Sequence, residues 1–288
     1  MGSPLRLTLP GACERQADDA WTIALRIFDE TERDLTRFDR DSSLSRLNRA
    51  TGSTVSVAPR LARALAAAWR AFRASGGRFD PRIIGALEDA GERGGVELPP
   101  SPARLDPRAC WLWLDPRRIA ARVTAPVDLG GIGKGLALRW TAHDLERAGH
   151  RDFLLQAGGD LVARGIGPAA RPWIVAVEPP PGAARPPLVV ELRDEAVATS
   201  SSAIRQWVGA DGRPRHHLID PATGRPAESP WWSVTVRAVD PAWAEVRSKI
   251  GFLAGDRIGS ELAGFSWIAW AAGRVRDEPE HGTRAMPA

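Results

Sequence analysis

Residues 127–138 read VDLGGIGKGLAL: an apolar start, a glycine-rich turn, one lysine and an apolar continuation. Such a turn at the start of a helix can bring main-chain N–H groups and an ammonium close to a phosphate. It is not a Walker A loop, because Asp128 stands where that motif has its first glycine and Gly135 where Ser or Thr would bind magnesium. The GxGxxG spacing does not fit either. A phosphate cradle and a purely structural glycine turn both remain open.

The segments around this stretch predict mixed helices and strands. A hairpin over ACWLWLD and RIAARVTA leads into it, a helix from Gly135 to about Ala148 follows, and DFLLQ and LVARG predict two strands around a tight turn at 158–160. Further strands are predicted at WIVAV, LVVEL, AVATS, WWSVTVRAV and SWIAWAAG, and further helices at about 17–39, 59–75 and 241–253. With 288 residues, 43% of them hydrophobic, we expect one α+β domain over 1–288.

The composition excludes several classes of protein. The net charge is only +4 and arginines alternate with acids, as in ETERDLTRFDRD, so we expect no nucleic-acid partner. No apolar run approaches the ~20 residues that span a bilayer. The start, MGSPLRLTLPGAC, lacks a signal-peptide core, so we expect a cytoplasmic protein unless an upstream segment has been removed. Cys13 and Cys110 belong to no metal or redox spacing, and we interpret both as inert.

Lysine usage singles out two positions. Of the 39 basic residues only Lys134 and Lys249 are lysines. Arginine cannot replace lysine where a compact, strongly hydrated point charge must fit a tight polar pocket. We therefore expect both lysines to have specific roles.

Two other pairs of residues have a spacing that could place their side chains at a common site. In HHLIDPATGRPAE, His217 and Asp220 either converge on one site, or Asp220 caps the turn and His217 is a core donor. Glu245 and Lys249 lie four apart on a predicted helix, where the ordinary interpretation is a surface ion pair.

Six motifs in order resemble those of the ApbE family, the FAD:protein FMN transferases. They are RFDRDSSLSRLNRATG, SGGRFDPR, VDLGGIGKG, QAGGDLVARG, AVATSSS and HHLIDPATGRP. The resemblance implies an α+β, T-fold-related fold of mixed sheets with packed helices, and an FAD cleft between the N-terminal helical layer and the central sheet. It implies FAD as substrate, Mg²⁺ as cofactor and transfer of FMN to a Ser or Thr of an acceptor flavoprotein through a phosphoester, with release of AMP.

The resemblance also implies roles for individual residues. His217 would transfer or position a proton, and Lys134 would stabilise charge during catalysis. The flavin contacts would be Met1, Phe38, Arg78, Phe79, Asp80, Asp128, Lys134 and Leu218. The metal ligands would be Gly131 through its carbonyl, Glu245 and Ser248.

The chain departs from the family pattern at Lys249, which stands at a family metal-ligand position. A protonated lysine has only donors and cannot ligate magnesium. Either the ion shifts toward Glu245 and the Gly131 carbonyl, or the Lys249 ammonium replaces it. Ser201 stands where the family has a glycine, which would strain the backbone if that residue needed a positive φ.

Three functions follow from these motifs. The leading hypothesis is FMN transfer to a protein. The alternatives are a non-catalytic FAD-binding protein and an FAD diphosphatase that gives FMN and AMP. The sequence predicts neither the acceptor protein nor the oligomeric state.

Overall fold

The computed structural model describes residues 4–92, 95–102, 104–179, 181, 186–209, 211–271, 274–278 and 283–285. The chain divides into two compact units. Unit 1 comprises residues 1–28, 134–203 and 229–288, and unit 2 comprises residues 29–133 and 204–228. Met1 and part of the proline-rich loop 178–187 lie outside the described residues.

The helices of the described residues are α1 Glu14–Leu35, α2 Ser43–Arg49, α3 Pro59–Ala74, α4 Ile84–Asp89, α5 Gly133–Arg147, α6 Pro241–Ala254 and α7 Ile258–Glu261. The strands are β1 Leu5–Thr8, β2 Val55–Ser56, β3 Leu112–Asp115, β4 Ala120–Val123, β5 Phe153–Ala157, β6 Asp160–Arg164, β7 Trp173–Val177, β8 Leu188–Leu192, β9 Ala196–Ser201, β10 Gln206–Val208, β11 Pro214–His216, β12 Ile219–Asp220, β13 Arg225–Pro226, β14 Ser233–Ala238, β15 Trp267–Ala271, β16 Arg274–Glu278 and β17 Thr283–Ala285.

Unit 1 contains an antiparallel sheet in the order β1-β5-β6-β9-β14-β15-β16. Side chains alternate between its faces: Val162 joins a core with α1, α5 and α6, whereas Leu161 and Ala163 join a core with β7 and β8. The second core lies under the small sheet β17-β8-β7. Helices therefore cover one face of the main sheet and a second sheet covers the other.

Unit 2 contains the sheet β2-β4-β3, helices α2 to α4 and the hairpins β10–β11 and β12–β13. Its centre includes Trp69, Phe72 and Trp111, whose ring centroids lie 5.6 to 6.1 Å apart. The SLSRLN motif forms α2. Ser42 caps this helix by accepting from the Ser45 N–H at 2.9 Å, and the Asn48 amide bonds both main-chain groups of Val127, at 2.9 and 3.0 Å. These two hydrogen bonds fix Val127, the residue before Asp128.

The predicted strands and long helices are confirmed, with ends shifted by a few residues. The tight turn at 158–160 is confirmed too: Ala157 pairs with Asp160, and Gly158 and Gly159 have φ of 59° and 97°, which favour glycine. The sequence did not predict several short elements, among them β1, α4 and the hairpin β10–β11. The condition for strain at Ser201 is not met, because Ser201 is a strand residue paired with Ser233 and does not have a positive φ.

Candidate functional site

The lysine of the glycine-rich stretch lies in the first turn of α5, in unit 1. Lys134 Nζ contacts Asp160 Oδ2 at 2.5 Å and Glu245 Oε1 at 2.9 Å. The two carboxylates are 4% and 1% exposed, whereas the lysine side chain is 26% exposed. Two buried acids therefore hold the ammonium of a side chain that is itself partly exposed.

Glu245 binds the start of α5 with both of its oxygens. Oε2 accepts the Gly135 N–H at 2.8 Å, while Oε1 contacts Lys134 at 2.9 Å and Lys249 at 3.4 Å. The main-chain amide that we considered for a phosphate cradle is therefore bonded to Glu245. The surface ion-pair interpretation of Glu245 and Lys249 is wrong, because Glu245 is buried and serves both lysines.

Gly135 is required by close packing. A Cβ at this position would lie 2.5 Å from both Ala242 Cα and the Pro241 carbonyl oxygen, so α5 and α6 approach each other at a residue without a side chain. This approach explains why glycine stands here instead of the Ser or Thr of a Walker A loop. It also brings Glu245, one turn along α6, to the start of α5.

Burial and charge act in opposite directions in this cluster. Burial alone would lower the pKa of Lys134, but Asp160 and Glu245 outweigh it and hold the pKa above its ordinary value. Burial alone would raise the pKa of Glu245, but Lys134, Lys249 and the Gly135 N–H hold it low. For Lys249 burial is the larger effect, and the pKa lies below its ordinary value. The Glu245 carboxylate raises this pKa, whereas the Lys134 ammonium lowers it further.

Hydrogen bonds from the sheet fix the acids. Asp160 follows the Gly158-Gly159 turn at the start of β6, and its Oδ1 accepts the Thr199 N–H at 2.9 Å. On α6, the Ser248 hydroxyl donates to the Glu245 carbonyl at 2.9 Å and lies 2.8 Å from the Ser200 hydroxyl. We missed Asp160 as a site residue, although the GGD motif marks the turn that places it.

Unit 2 brings together two predicted flavin contacts through Arg37. The Arg37 Nε lies 2.6 Å from Asp128 Oδ2, and its guanidinium lies over the Phe38 ring, 4.4 Å from the centroid. Phe38 is 53% exposed, whereas Arg37 is buried. Arg37 Nη2 also lies 3.3 Å from Glu92 Oε1, which Arg205 contacts as well. The sequence did not predict a role for Arg37, Glu92 or Arg205.

The predicted contacts at 78–80 are followed by Pro81, which is hydrogen-bonded to Asp128. The Asp128 N–H donates to the Pro81 carbonyl at 2.6 Å. Phe79 and Asp80 are buried, and Asp80 binds Arg82 with both oxygens, at 2.9 and 2.6 Å. The Asp80 carboxylate therefore fixes its own turn by binding Arg82. Gly131 lies in the turn that follows Asp128.

The HHLIDP segment is held by its own turn. Asp220 Oδ1 accepts the Ala222 N–H at 2.9 Å, which confirms the turn-capping interpretation of Asp220. The ring of His216 accepts the Leu218 N–H at Nδ1 and lies 3.2 Å from the Ala227 carbonyl through Nε2. His217 is half-buried, and Leu218 is buried. The backbone on both sides of His217 is therefore fixed.

Within the described residues, no three His, Cys, Asp or Glu side chains are grouped so that they could hold a metal ion. None of the helices in this part of the chain has the length and apolar character needed to cross a membrane.

A family model described as the ApbE family matches residues 1–267. The chain belongs to the ApbE family. Two FAD:protein FMN transferases are each 28% identical to this ApbE-family chain. The relative from Haemophilus influenzae aligns over 245 residues, 80% of this chain and 70% of its own length. The relative from Salmonella typhimurium aligns over 253 residues, 83% of this chain and 72% of its own length.

The fold is shared as well. The crystal structure of the ApbE protein from Thermotoga maritima matches with a TM-score of 0.76 and 25% identity, covering 96% of this chain and 94% of that one. The expected α+β, ApbE-like fold is therefore confirmed.

Proposed function

We propose that this ApbE-family chain is an FAD:protein FMN transferase. The supporting observation is the Lys134 ammonium at the start of α5, which two buried carboxylates hold at the end of a partly exposed side chain. Attack on a diphosphate builds negative charge on phosphoryl oxygens, and a fixed cation stabilises that charge. Two acids that raise the pKa of Lys134 keep it protonated at any pH at which the reaction would run.

The proposed reaction displaces AMP from FAD. The oxygen of an acceptor Ser or Thr hydroxyl bonds to the phosphorus of the FMN half, and the bond from that phosphorus to the bridging oxygen breaks. AMP leaves with the bridging oxygen and its electron pair. The hydroxyl proton is released, and we propose that His217 accepts or orients it.

Each unit carries its own group of proposed FAD-binding residues. In unit 2 they are Phe38, the turn at 78–80, Asp128 and Leu218; in unit 1 it is Lys134. The exposed Phe38 ring offers a face on which an aromatic ring system can stack. Met1, which the resemblance also implies, lies outside the described residues.

The side chains of unit 1 that the resemblance implies as metal ligands do not fit magnesium. Mg²⁺ requires near-octahedral oxygen ligands. Glu245 already binds two ammonium groups and one N–H with its carboxylate, and the buried Ser248 hydroxyl is bonded to the Glu245 carbonyl and to Ser200. The proposed function therefore uses no step through a metal.

The test is incubation with FAD, with and without an acceptor protein that carries a target of the type Asp-x-x-Ser/Thr-Gly-Ala-Ser/Thr. AMP release that requires the acceptor, together with covalent flavin on it, is the expected result. AMP release without acceptor would indicate an FAD diphosphatase. Binding of FAD without AMP release would indicate a non-catalytic FAD-binding protein.

A further inference from the structure

Both lysines of this chain contact the same atom. Lys134 lies 2.9 Å and Lys249 lies 3.4 Å from Glu245 Oε1, and Asp160 lies 2.5 Å from Lys134. These four side chains, the lysine–acid cluster, come from α5, β6 and α6. The other 37 basic residues of the chain are arginines. Lysine is therefore present only at this cluster.

The lysine–acid cluster is balanced in charge. Two ammonium groups and two carboxylates sum to zero, and the carboxylates are 4% and 1% exposed. A buried carboxylate is costly unless it is paired, and here each acid is paired without any added ion. A divalent cation would add two positive charges beside two existing ones. The cluster therefore opposes entry of a divalent cation.

Lys249 accounts for this balance. Its ammonium approaches Glu245 from the same helix, one turn further on, whereas Lys134 belongs to α5. Without Lys249 the cluster would carry a net charge of −1 and Glu245 Oε1 would lose one of its two cationic partners. Carboxylate oxygens with an unbalanced negative charge are the ligands that Mg²⁺ and Mn²⁺ prefer.

We propose that Lys249 occupies the position of a divalent cation, so that this chain needs no metal and Lys134 and Lys249 together supply the positive charge for the diphosphate. The part concerning FAD rests on the proposed function. The part concerning metal exclusion concerns the protein alone, and it can be tested without any turnover.

The first experiment measures Mn²⁺ binding by calorimetry, with electron paramagnetic resonance of free Mn²⁺ as a check. Arg257→Thr is the control, because it removes one positive charge from an exposed position of unit 1. Wild type should bind no more Mn²⁺ than this control variant. Lys249→Thr removes the same charge from the cluster and adds an oxygen ligand, so it should bind Mn²⁺ at least about tenfold more tightly. Lys249→Arg keeps the positive charge and should bind no more Mn²⁺ than wild type. Glu245→Gln added to Lys249→Thr should abolish the gained binding.

The second experiment measures AMP release from FAD with acceptor, in EDTA and in Mg²⁺. Wild type should differ less than about twofold between the two conditions, and Lys249→Thr should require Mg²⁺. Circular dichroism melting checks that each variant is folded. Tight Mn²⁺ binding by wild type, or loss of its activity in EDTA, would overturn the metal-exclusion proposal and leave the transferase function intact. Inactivity of wild type in both conditions would instead contradict the transferase function, while the Mn²⁺ titration would still decide the role of Lys249.

Discussion

Arg37 Nε lies 2.6 Å from Asp128 Oδ2, and the same guanidinium lies 4.4 Å from the centroid of the exposed Phe38 ring. One buried arginine thus connects two residues that we propose to contact the flavin. Its second carboxylate partner, Glu92, pairs in turn with Arg205, which leads into β10. We therefore propose that Arg37 positions the flavin contacts of unit 2.

Replacing Arg37 by Met should weaken FAD binding tenfold or more. The change leaves Asp128 without its ion-pair partner, and an unpaired partly buried charge costs about 1.5–3 kcal/mol. Fluorescence quenching of FAD measures the affinity. Arg40→Met, which changes an exposed arginine three residues away, is the control. Equal affinity in both variants would mean that Arg37 does not position the flavin contacts.

Gly135 and Gly133 provide a matched pair in α5. Gly135→Ala places a Cβ 2.5 Å from the α6 backbone, whereas a Cβ at Gly133 meets nothing within 4 Å. We expect Gly135→Ala to lower the free energy of unfolding by about 1–3 kcal/mol, the range for overpacking. Gly133→Ala should be neutral or slightly stabilising. Urea unfolding measures both, and equal stabilities would contradict the close approach of α5 and α6.

Lys134→Met should reduce FMN transfer by at least about tenfold, because it removes a charged hydrogen-bond donor worth about 1.5–3 kcal/mol. Lys134→Arg keeps the charge but not the compact ammonium, and we expect it to restore only part of the activity. AMP release with acceptor is the measurement. Wild-type turnover in Lys134→Met would indicate that the glycine-rich stretch has a purely structural role.

His216 predicts a pH dependence of stability. Burial lowers its pKa, opposed by the bond to the Ala227 carbonyl, and its Nδ1 accepts the Leu218 N–H. Because the folded pKa lies below the unfolded one, its stabilising contribution is complete above the unfolded value of about 6.5 and is lost as the pH falls through the folded pKa.

The measurement for His216 is the free energy of unfolding at a series of pH values from neutral to acidic. His216→Gln should flatten the acid side of this curve relative to wild type. The control is His143→Gln, which replaces an exposed imidazole on α5. If the dependence of the unfolding free energy on pH were the same in His216→Gln as in wild type, the pKa of His216 would not differ between the folded and unfolded states.

Much of the fold was predictable because its elements carry strong local patterns. Pro59 and Gly76 mark both ends of α3, and the Gly158-Gly159 turn fixes the pairing of β5 with β6. The short helix α4 was missed because its six residues lie in a segment rich in glycine and proline. Strand β1 was missed because LRLT is short and preceded by proline, and its partner β5 is far away in sequence.

Composition identified the two lysines of the candidate site, and the family resemblance identified Glu245, Phe38 and Asp128. Lys134 and Lys249 could be identified because lysine is nearly absent, and the structure brings both to Glu245. Arg37 could not be identified, because it is one of 37 arginines and its ion-pair partner Asp128 lies 91 positions away in the sequence. Pairing over such distances is set by the tertiary fold and not by local spacing.

The most direct test of the central claim is the intact mass of an acceptor protein after incubation with FAD and this chain. We predict a gain equal to FMN minus water, located on a Ser or Thr of the target motif, with one AMP released for each flavin attached. The modification should be absent when the target hydroxyl is replaced by Ala. An acceptor of unchanged mass, in a reaction where FAD is bound or consumed, would contradict FMN transfer.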